Sequence, residues 1–192
     1  MKTLPLTIAS LLLCSTAGAG VTRETDDNGL HSWHLQQGAL SLKLIQRLPD
    51  QTRAFFLARG FPKAVADDIA TSCVLQTIGR NRSGAERPVS LEYDLHDWRL
   101  RLPDGSTRSI RFKEDWERAW DGNPEVPQAA RIAFRWATFP TSQRFEPGGD
   151  YNWGMTSFGL PPESRFDLKI RWMENGRPQT AWIEDIACPQ DR

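Results

Sequence analysis

The chain has 192 residues, a quarter of them charged, and its 24 Lys and Arg residues balance its 24 Asp and Glu residues. This balance excludes the overall basic excess with which nucleic-acid-binding proteins displace phosphate counterions, so we expect no nucleic-acid partner. Eight Trp and nine Phe supply a large apolar area, and a chain of this length can form one domain with a sizeable core.

The first predicted element is a secretory signal peptide over residues 1–19. Lys2 precedes an apolar run from Leu4 to Leu13, and small residues ending in Ala17-Gly18-Ala19 form an A-x-A cleavage site. The apolar run is shorter than the roughly 20 residues that cross a bilayer, so we expect no transmembrane segment in the mature chain. That chain would begin near Gly20 and be periplasmic or secreted, and its partner would be a protein or a small ligand in the cell envelope.

Residues 20–29 are small and polar and predict a flexible leader without regular structure. Leu40, Leu42 and Leu44 alternate with polar residues, which predicts a first strand or hairpin. Two short helices are predicted near residues 50–72, because Pro49 and Gly60 suit the ends of one helix and apolar residues at helical spacing follow Pro62.

Cys73 and Cys188 are the two cysteines that remain after cleavage, out of three in the whole chain. An even pair in an exported protein favours a disulfide. The pair lacks C-x-x-C spacing and has no His nearby in sequence, which argues against a redox or metal centre. The sequence therefore predicts a single disulfide-clasped β-rich domain over residues 30–192.

Alternating apolar and polar residues predict strands along the rest of the chain. These predicted strands lie near residues 74–78, 89–95, 98–102, 131–136, 165–172 and 181–187. A short helix over residues 113–121 would lay Trp116 and Trp120 against the sheet, since they are four residues apart. The expected fold is mainly β, an antiparallel β-sandwich or twisted sheet of about seven to nine strands, with the two helices at one edge or end.

His31, His34 and Met155 are the candidate metal ligands. A separation of three residues puts two side chains of a strand on opposite faces, so the histidine pair suits a metal only in a turn or a helix. Met155 could offer a soft sulfur to cuprous copper, although a single methionine also fills gaps in a core. Copper handling through these residues is retained as an alternative, and no other cofactor is predicted.

Residues 147–162, PGGDYNWGMTSFGLPP, predict a Gly- and Pro-rich loop that carries four large side chains. Tyr151, Trp153, Met155 and Phe158 would either close an open end of the sheet or form a binding surface. Four glycines favour recognition, because they allow close backbone approach and add chain entropy that a simple lid would not need. We therefore expect Trp153 and its neighbours to bind a partner.

The sequence contains no G-x-S-x-G, H-E-x-x-H, P-loop or dinucleotide fingerprint. The predicted function is therefore a non-enzymatic exported binding or assembly protein that uses the loop over residues 147–162. The alternatives are a periplasmic copper-handling protein and a carbohydrate-binding module that uses exposed Trp side chains.

Overall fold

The computed structural model describes residues 20–191, so the predicted signal peptide over residues 1–19 lies outside the described part of the chain. Residues 20–191 form eleven β-strands and four α-helices. None of the helices in this range is long and apolar enough to cross a membrane.

Five strands form the first sheet, and each pairs with its neighbours in antiparallel fashion. In spatial order they are β1 (Gly20–Thr25), β2 (His31–Gln37), β3 (Leu40–Gln46), β4 (Val74–Asn81) and β9 (Tyr151–Ser157). Side chains on one face point towards the second sheet, and we call the opposite face of the first sheet its outer face.

The second sheet is built around the long strand β10 (Arg165–Glu174). The other strands of this sheet are β5 (Leu91–Asp94), β6 (Arg99–Arg101), β7 (Thr107–Arg108), β8 (Ser142–Phe145) and β11 (Arg177–Ala187). β11 runs along one side of β10, and β6 and β5 pair with successive parts of its other side. β7 extends the sheet beyond β6, and β8 extends it beyond β5.

The main core lies between the two sheets, which confirms the predicted antiparallel sandwich, although residues 20–191 form eleven strands where about seven to nine were expected. Leu168 and Ile170 of β10 are buried there together with Trp33 and Leu44 of the first sheet. This arrangement follows from the period of two in each strand, which turns every second side chain inward.

Four helices cover one end of the outer face. They are α1 (Pro49–Leu57), α2 (Lys63–Ala70), α3 (Lys113–Ala119) and α4 (Gln128–Ala137), of which the first two confirm the predicted helices near residues 50–72. Phe56, Trp116 and Phe134 bury their rings against Val74 and Met155 of the first sheet. The helices therefore form a second core and leave the other end of the outer face open.

The predicted strand over residues 131–136 is wrong, because these residues lie in α4. Ala130 and Phe134 are buried one helical turn apart, whereas Ile132 and Trp136 are exposed. A run of six residues with large side chains at alternate positions is compatible with the period of a strand and with that of a helix as long as the burial of each side chain is unknown. The burial of both Ala130 and Phe134, four residues apart, identifies the helix.

The predicted flexible leader over residues 20–29 is also corrected, because Gly20–Thr25 form the edge strand β1. All six residues are exposed, so the strand has no apolar alternation that a sequence pattern could reveal. It is held by backbone pairing with β2 and by ion pairs from Arg23 to Asp185 and from Lys43 to Glu24.

The predicted disulfide between Cys73 and Cys188 is confirmed. Cys73 lies between α2 and β4, and Cys188 follows β11, so the bond ties the first sheet to the last strand of the second sheet. Such a bond fits an oxidising compartment outside the cytoplasm.

Candidate binding surface

Seven residues of the predicted loop over residues 147–162 form the strand β9 instead. β9 pairs with β4 in unbroken register, from Val74 opposite Ser157 to Arg80 opposite Tyr151. Gly148 and Gly149 have positive φ and form the turn before the strand, and residues 158–162 after it also lie outside regular structure, so the loop prediction holds at both ends of the segment. The centre of the predicted loop is therefore a regular strand of the first sheet.

Gly154 lies inside β9 because another piece of backbone crosses the strand there. The Phe139 N–H donates a hydrogen bond of 2.9 Å to the Met155 carbonyl, at the edge of β9 that faces away from β4. A Cβ at Gly154 would lie 2.6 Å from the Cα of Phe139, closer than real Cβ contacts. Gly154 thus permits the close approach of α4 and its following segment to the strand.

Replacing Gly154 by Ala is expected to destabilise the protein by about 1–3 kcal/mol, the usual range for overpacking. The new methyl group would meet backbone atoms of residues 138 and 139, which cannot rotate away as a flexible side chain can. Urea denaturation measures the difference. Gly84→Ala is the matched control, because its Cβ would meet nothing within 4 Å; equal stability of the two variants would contradict the close approach.

The structure divides the four predicted binding residues into two pairs. Tyr151 and Trp153 lie on the outer face and are 52% and 59% exposed. Met155 is buried under the helices, and Phe158 is buried in the main core, where its ring centroid lies 4.9 Å from that of Phe166. Only Tyr151 and Trp153 can therefore meet a ligand without rearrangement of the fold.

Trp136 is a third exposed aromatic residue, which the sequence pattern assigned to a buried strand face. It lies on α4 and is 85% exposed. Thr138, two residues further on, forms a bridge with Met155, which in turn lies two residues after Trp153. Trp136 and Trp153 therefore each lie two residues before the bridge that joins the end of α4 to β9, and we call Trp136, Tyr151 and Trp153 together the aromatic surface.

Polar and charged side chains continue the outer face beyond the aromatic surface. Trp153 lies opposite Ile78, which is followed across the sheet by Lys43 and His34. In the adjacent row Tyr151 lies opposite Arg80, whose Cζ atom is 4.9 Å from the centre of the tyrosine ring. The outer face thus combines flat aromatic rings with cations and hydrogen-bonding groups.

Two cations and one acid act on His34 on this face. Its Nε2 atom lies 2.8 Å from the Ser41 hydroxyl oxygen. Burial lowers the pKa of His34, the charges of Lys43 and Arg82 lower it further, and the charge of Glu24 raises it. The cations outweigh the acid, so this part of the face favours negative charge.

The structure does not bring the three candidate metal ligands together. His31 and His34 lie on opposite faces of β2, where they contact Thr25 and Ser41. Met155 is separated from His34 by the two intervening strands β3 and β4. Residues 20–191 contain no group of three or more His, Cys, Asp or Glu side chains positioned to hold a metal ion.

The perturbed acidic groups have structural explanations. Hydrogen bonds from Lys43, Lys63 and Arg165 lower the pKa values of the carboxyls of Glu24, Asp67 and Asp185. A gap of about 20 Å³ beside Trp116 has room for about one water molecule. The aromatic surface, by contrast, is open to solvent.

Comparison of the chain with protein-family models, curated proteins and solved structures found no match.

Proposed function

We propose that the protein is an exported binding protein, periplasmic or secreted, that recognises carbohydrate with its aromatic surface. The supporting observation is the exposure of two indoles, 85% for Trp136 and 59% for Trp153, in a protein that buries five other tryptophans almost completely. Burying a large apolar side chain stabilises a fold by about 1.5–3 kcal/mol, so leaving two indoles in water forgoes that stabilisation. Exposed aromatic clusters of this kind are typical of recognition surfaces.

The spacing of Tyr151 and Trp153 suits a chain of sugar rings. Residues two apart on a strand are separated by roughly 6.6–6.8 Å and project from the same face. Their rings can therefore receive the apolar C–H faces of neighbouring pyranose units, while Arg80 and Ser41, which continue the row of Tyr151, offer partners for hydroxyl groups.

A depression of about 430 Å³ on the outer face would accommodate further sugar units. It is lined by polar and charged side chains, among them Glu24, Asp26, Ser32 and Lys43, together with Ile45. A polymer that crosses the sheet from β9 towards β1 would therefore find polar contacts beyond the aromatic rings.

A protein partner is the second candidate, and a feature of α4 favours it. Ile132 and Trp136 are both exposed and lie one helical turn apart, so they form an apolar stripe that a partner could cover. Ile132→Ser separates the two candidates. It would weaken capture of a protein that packs on this stripe but leave polysaccharide affinity unchanged.

Polysaccharide binding is expected to shield Trp153 from acrylamide, a solution quencher of indole fluorescence. The mature protein would be titrated with dextran, laminarin, polygalacturonate and alginate. At least one polymer should reduce quenching in the wild type, and Trp153→Ala should weaken its binding by at least tenfold, which corresponds to about 1.4 kcal/mol of a recognition hot spot. Quenching that no polymer alters, or an affinity that the substitution leaves unchanged, would contradict the proposal.

A further inference from the structure

We propose that the ligand is an acidic polysaccharide, whose rings stack on Tyr151 and Trp153 and whose negatively charged groups pair with Arg80 and Arg82. The inference rests on the proposed carbohydrate-binding function and adds the charge of the ligand to it. The charged group is a carboxylate, sulfate or phosphate, which share the geometry that a guanidinium binds.

Arg80 is held beside the aromatic surface with its charge unpaired. It lies directly opposite Tyr151 in the register of β4 and β9, and its guanidinium rests 4.9 Å from the ring centre. The side chain is exposed and makes no ion pair within residues 20–191. Contact with the ring restricts the side chain before any ligand arrives, so less conformational entropy is lost when an anion binds.

Arg82 adds a second unpaired cation on the same side of the sheet. It follows β4, and its backbone N–H donates to the Ala39 carbonyl, 2.8 Å away. Its guanidinium is exposed, forms no ion pair in the described part of the chain, and lowers the pKa of His34 by its charge. Since His34 lies on the outer face, the positive charge of Arg82 acts on that face.

The acidic groups near this surface already have partners. Glu24 is the one acid among the strand residues described on the outer face, and it pairs with Lys43 at 3.0 Å. Asp150, just before β9, accepts a hydrogen bond from the Glu146 N–H but makes no ion pair within residues 20–191, and Glu146 pairs with Arg144. Arg80 and Arg82 together outnumber this one carboxylate, so the net unpaired charge near Tyr151 is positive.

The polar content of this face favours a sugar over a protein as the charged ligand. The centre of a protein interface is usually depleted in Lys, Glu and Asp, although Arg is enriched there. Here Lys43 shares the row of Trp153 with His34, and Lys43 pairs with Glu24 on the same face. A hydrated, hydroxyl-rich polymer can satisfy these groups without removing a large surface from water.

Matched pairs of polymers that differ mainly in charge test the inference. The pairs are polygalacturonate and its methyl ester, alginate and its propylene glycol ester, and dextran sulfate and dextran. The acidic member of at least one pair should bind the mature protein at least tenfold more tightly than its neutral partner. Its affinity should fall as sodium chloride is raised, because salt screens exposed charges.

Arg80→Gln and Arg82→Gln should each weaken binding of the acidic polymer by roughly tenfold and reduce the salt dependence. Arg177→Gln is the matched control, since Arg177 is also exposed and unpaired within residues 20–191 but lies on β11 of the second sheet. In the wild type the acidic polymer should also raise the pKa of His34, measured from its imidazole resonances by NMR. The groups already acting on that ring are Lys43, Arg82 and Glu24.

The possible failures are distinguishable. Equal, salt-insensitive binding of both members of a pair, still lost in Trp153→Ala, would overturn the acidic ligand and leave carbohydrate binding standing. Binding of acidic polymers that Arg80→Gln abolishes and Trp153→Ala leaves intact would overturn the stacking function. Failure of every polymer, or binding of acidic proteins alone, would overturn both.

Discussion

Replacing Cys73 and Cys188 together by Ala is expected to lower the free energy of unfolding by roughly 4–5 kcal/mol. The two residues are 115 positions apart, and the chain-entropy model assigns a loss of this size to opening so long a loop. Alanine is preferable to serine because both positions are buried and would hide an unpaired hydroxyl. Urea denaturation of the wild type and the double variant measures the difference.

A thiol assay controls this experiment. The denatured but unreduced wild type should contain no free thiol from Cys73 or Cys188, and two free thiols would refute the bond. A double variant whose unfolding free energy stays within about 1 kcal/mol of the wild type would show that the bond adds little to the link between the sheets. The expected loss is an upper value, because residual structure in the unfolded chain reduces it.

Trp116→Ala is expected to cost about 3–5 kcal/mol, whereas Trp153→Ala should change stability by less than about 1 kcal/mol. Trp116 is fully buried beneath Arg111, whose guanidinium lies 3.2 Å from its ring centre, and its ring centroid is 5.7 Å from that of Trp120. Trp153 has more than half of its surface in water. Thermal and urea unfolding of the two variants provide the comparison.

This contrast separates a recognition residue from a core residue in one experiment. If Trp153→Ala destabilised the protein as much as Trp116→Ala, the indole of Trp153 would be part of the core and the proposed surface would not exist. If Trp116→Ala were harmless, the second core beneath the helices would be misplaced.

The sandwich could be predicted from the sequence because its main strands have one buried and one exposed face. β10 alternates Phe166, Leu168, Ile170 and Trp172 with charged residues, and all four are buried in the core. Burial of one face leaves a period of two in the sequence, which requires no knowledge of the partner strand. The two early helices were predictable for a related reason, since Pro and Gly mark helix ends.

The wrong predictions concern segments in which the sequence does not show which side chains are buried. β1 is an edge strand with every side chain exposed, so backbone pairing forms it without an apolar signature. Gly154 suggested a loop, but it lies in a strand and allows the backbone of residues 138 and 139 to approach β9 closely. Residues 131–136 are too few to separate the two periods, and only the burial of Ala130 and Phe134 identifies the helix.

Only some residues of the candidate site could be predicted from the sequence. Tyr151 and Trp153 could be singled out because large aromatics among glycines are unusual. Arg80 could not be identified from the sequence, since its position beside Tyr151 depends on the register of β4 and β9. The exposure of Trp136 was not predicted because the helix α4 was not predicted. A helix that follows Pro127 would place Trp136 on the side of the helix opposite to the buried Phe134.

The decisive experiment compares the affinities of the wild type and of Trp153→Ala for one acidic polysaccharide, measured side by side by fluorescence titration. Both proteins should first be shown to melt at the same temperature, so that a lost interaction cannot be attributed to unfolding. We expect Trp153→Ala to bind at least tenfold more weakly. Equal affinities would show that the aromatic surface is not where the ligand binds.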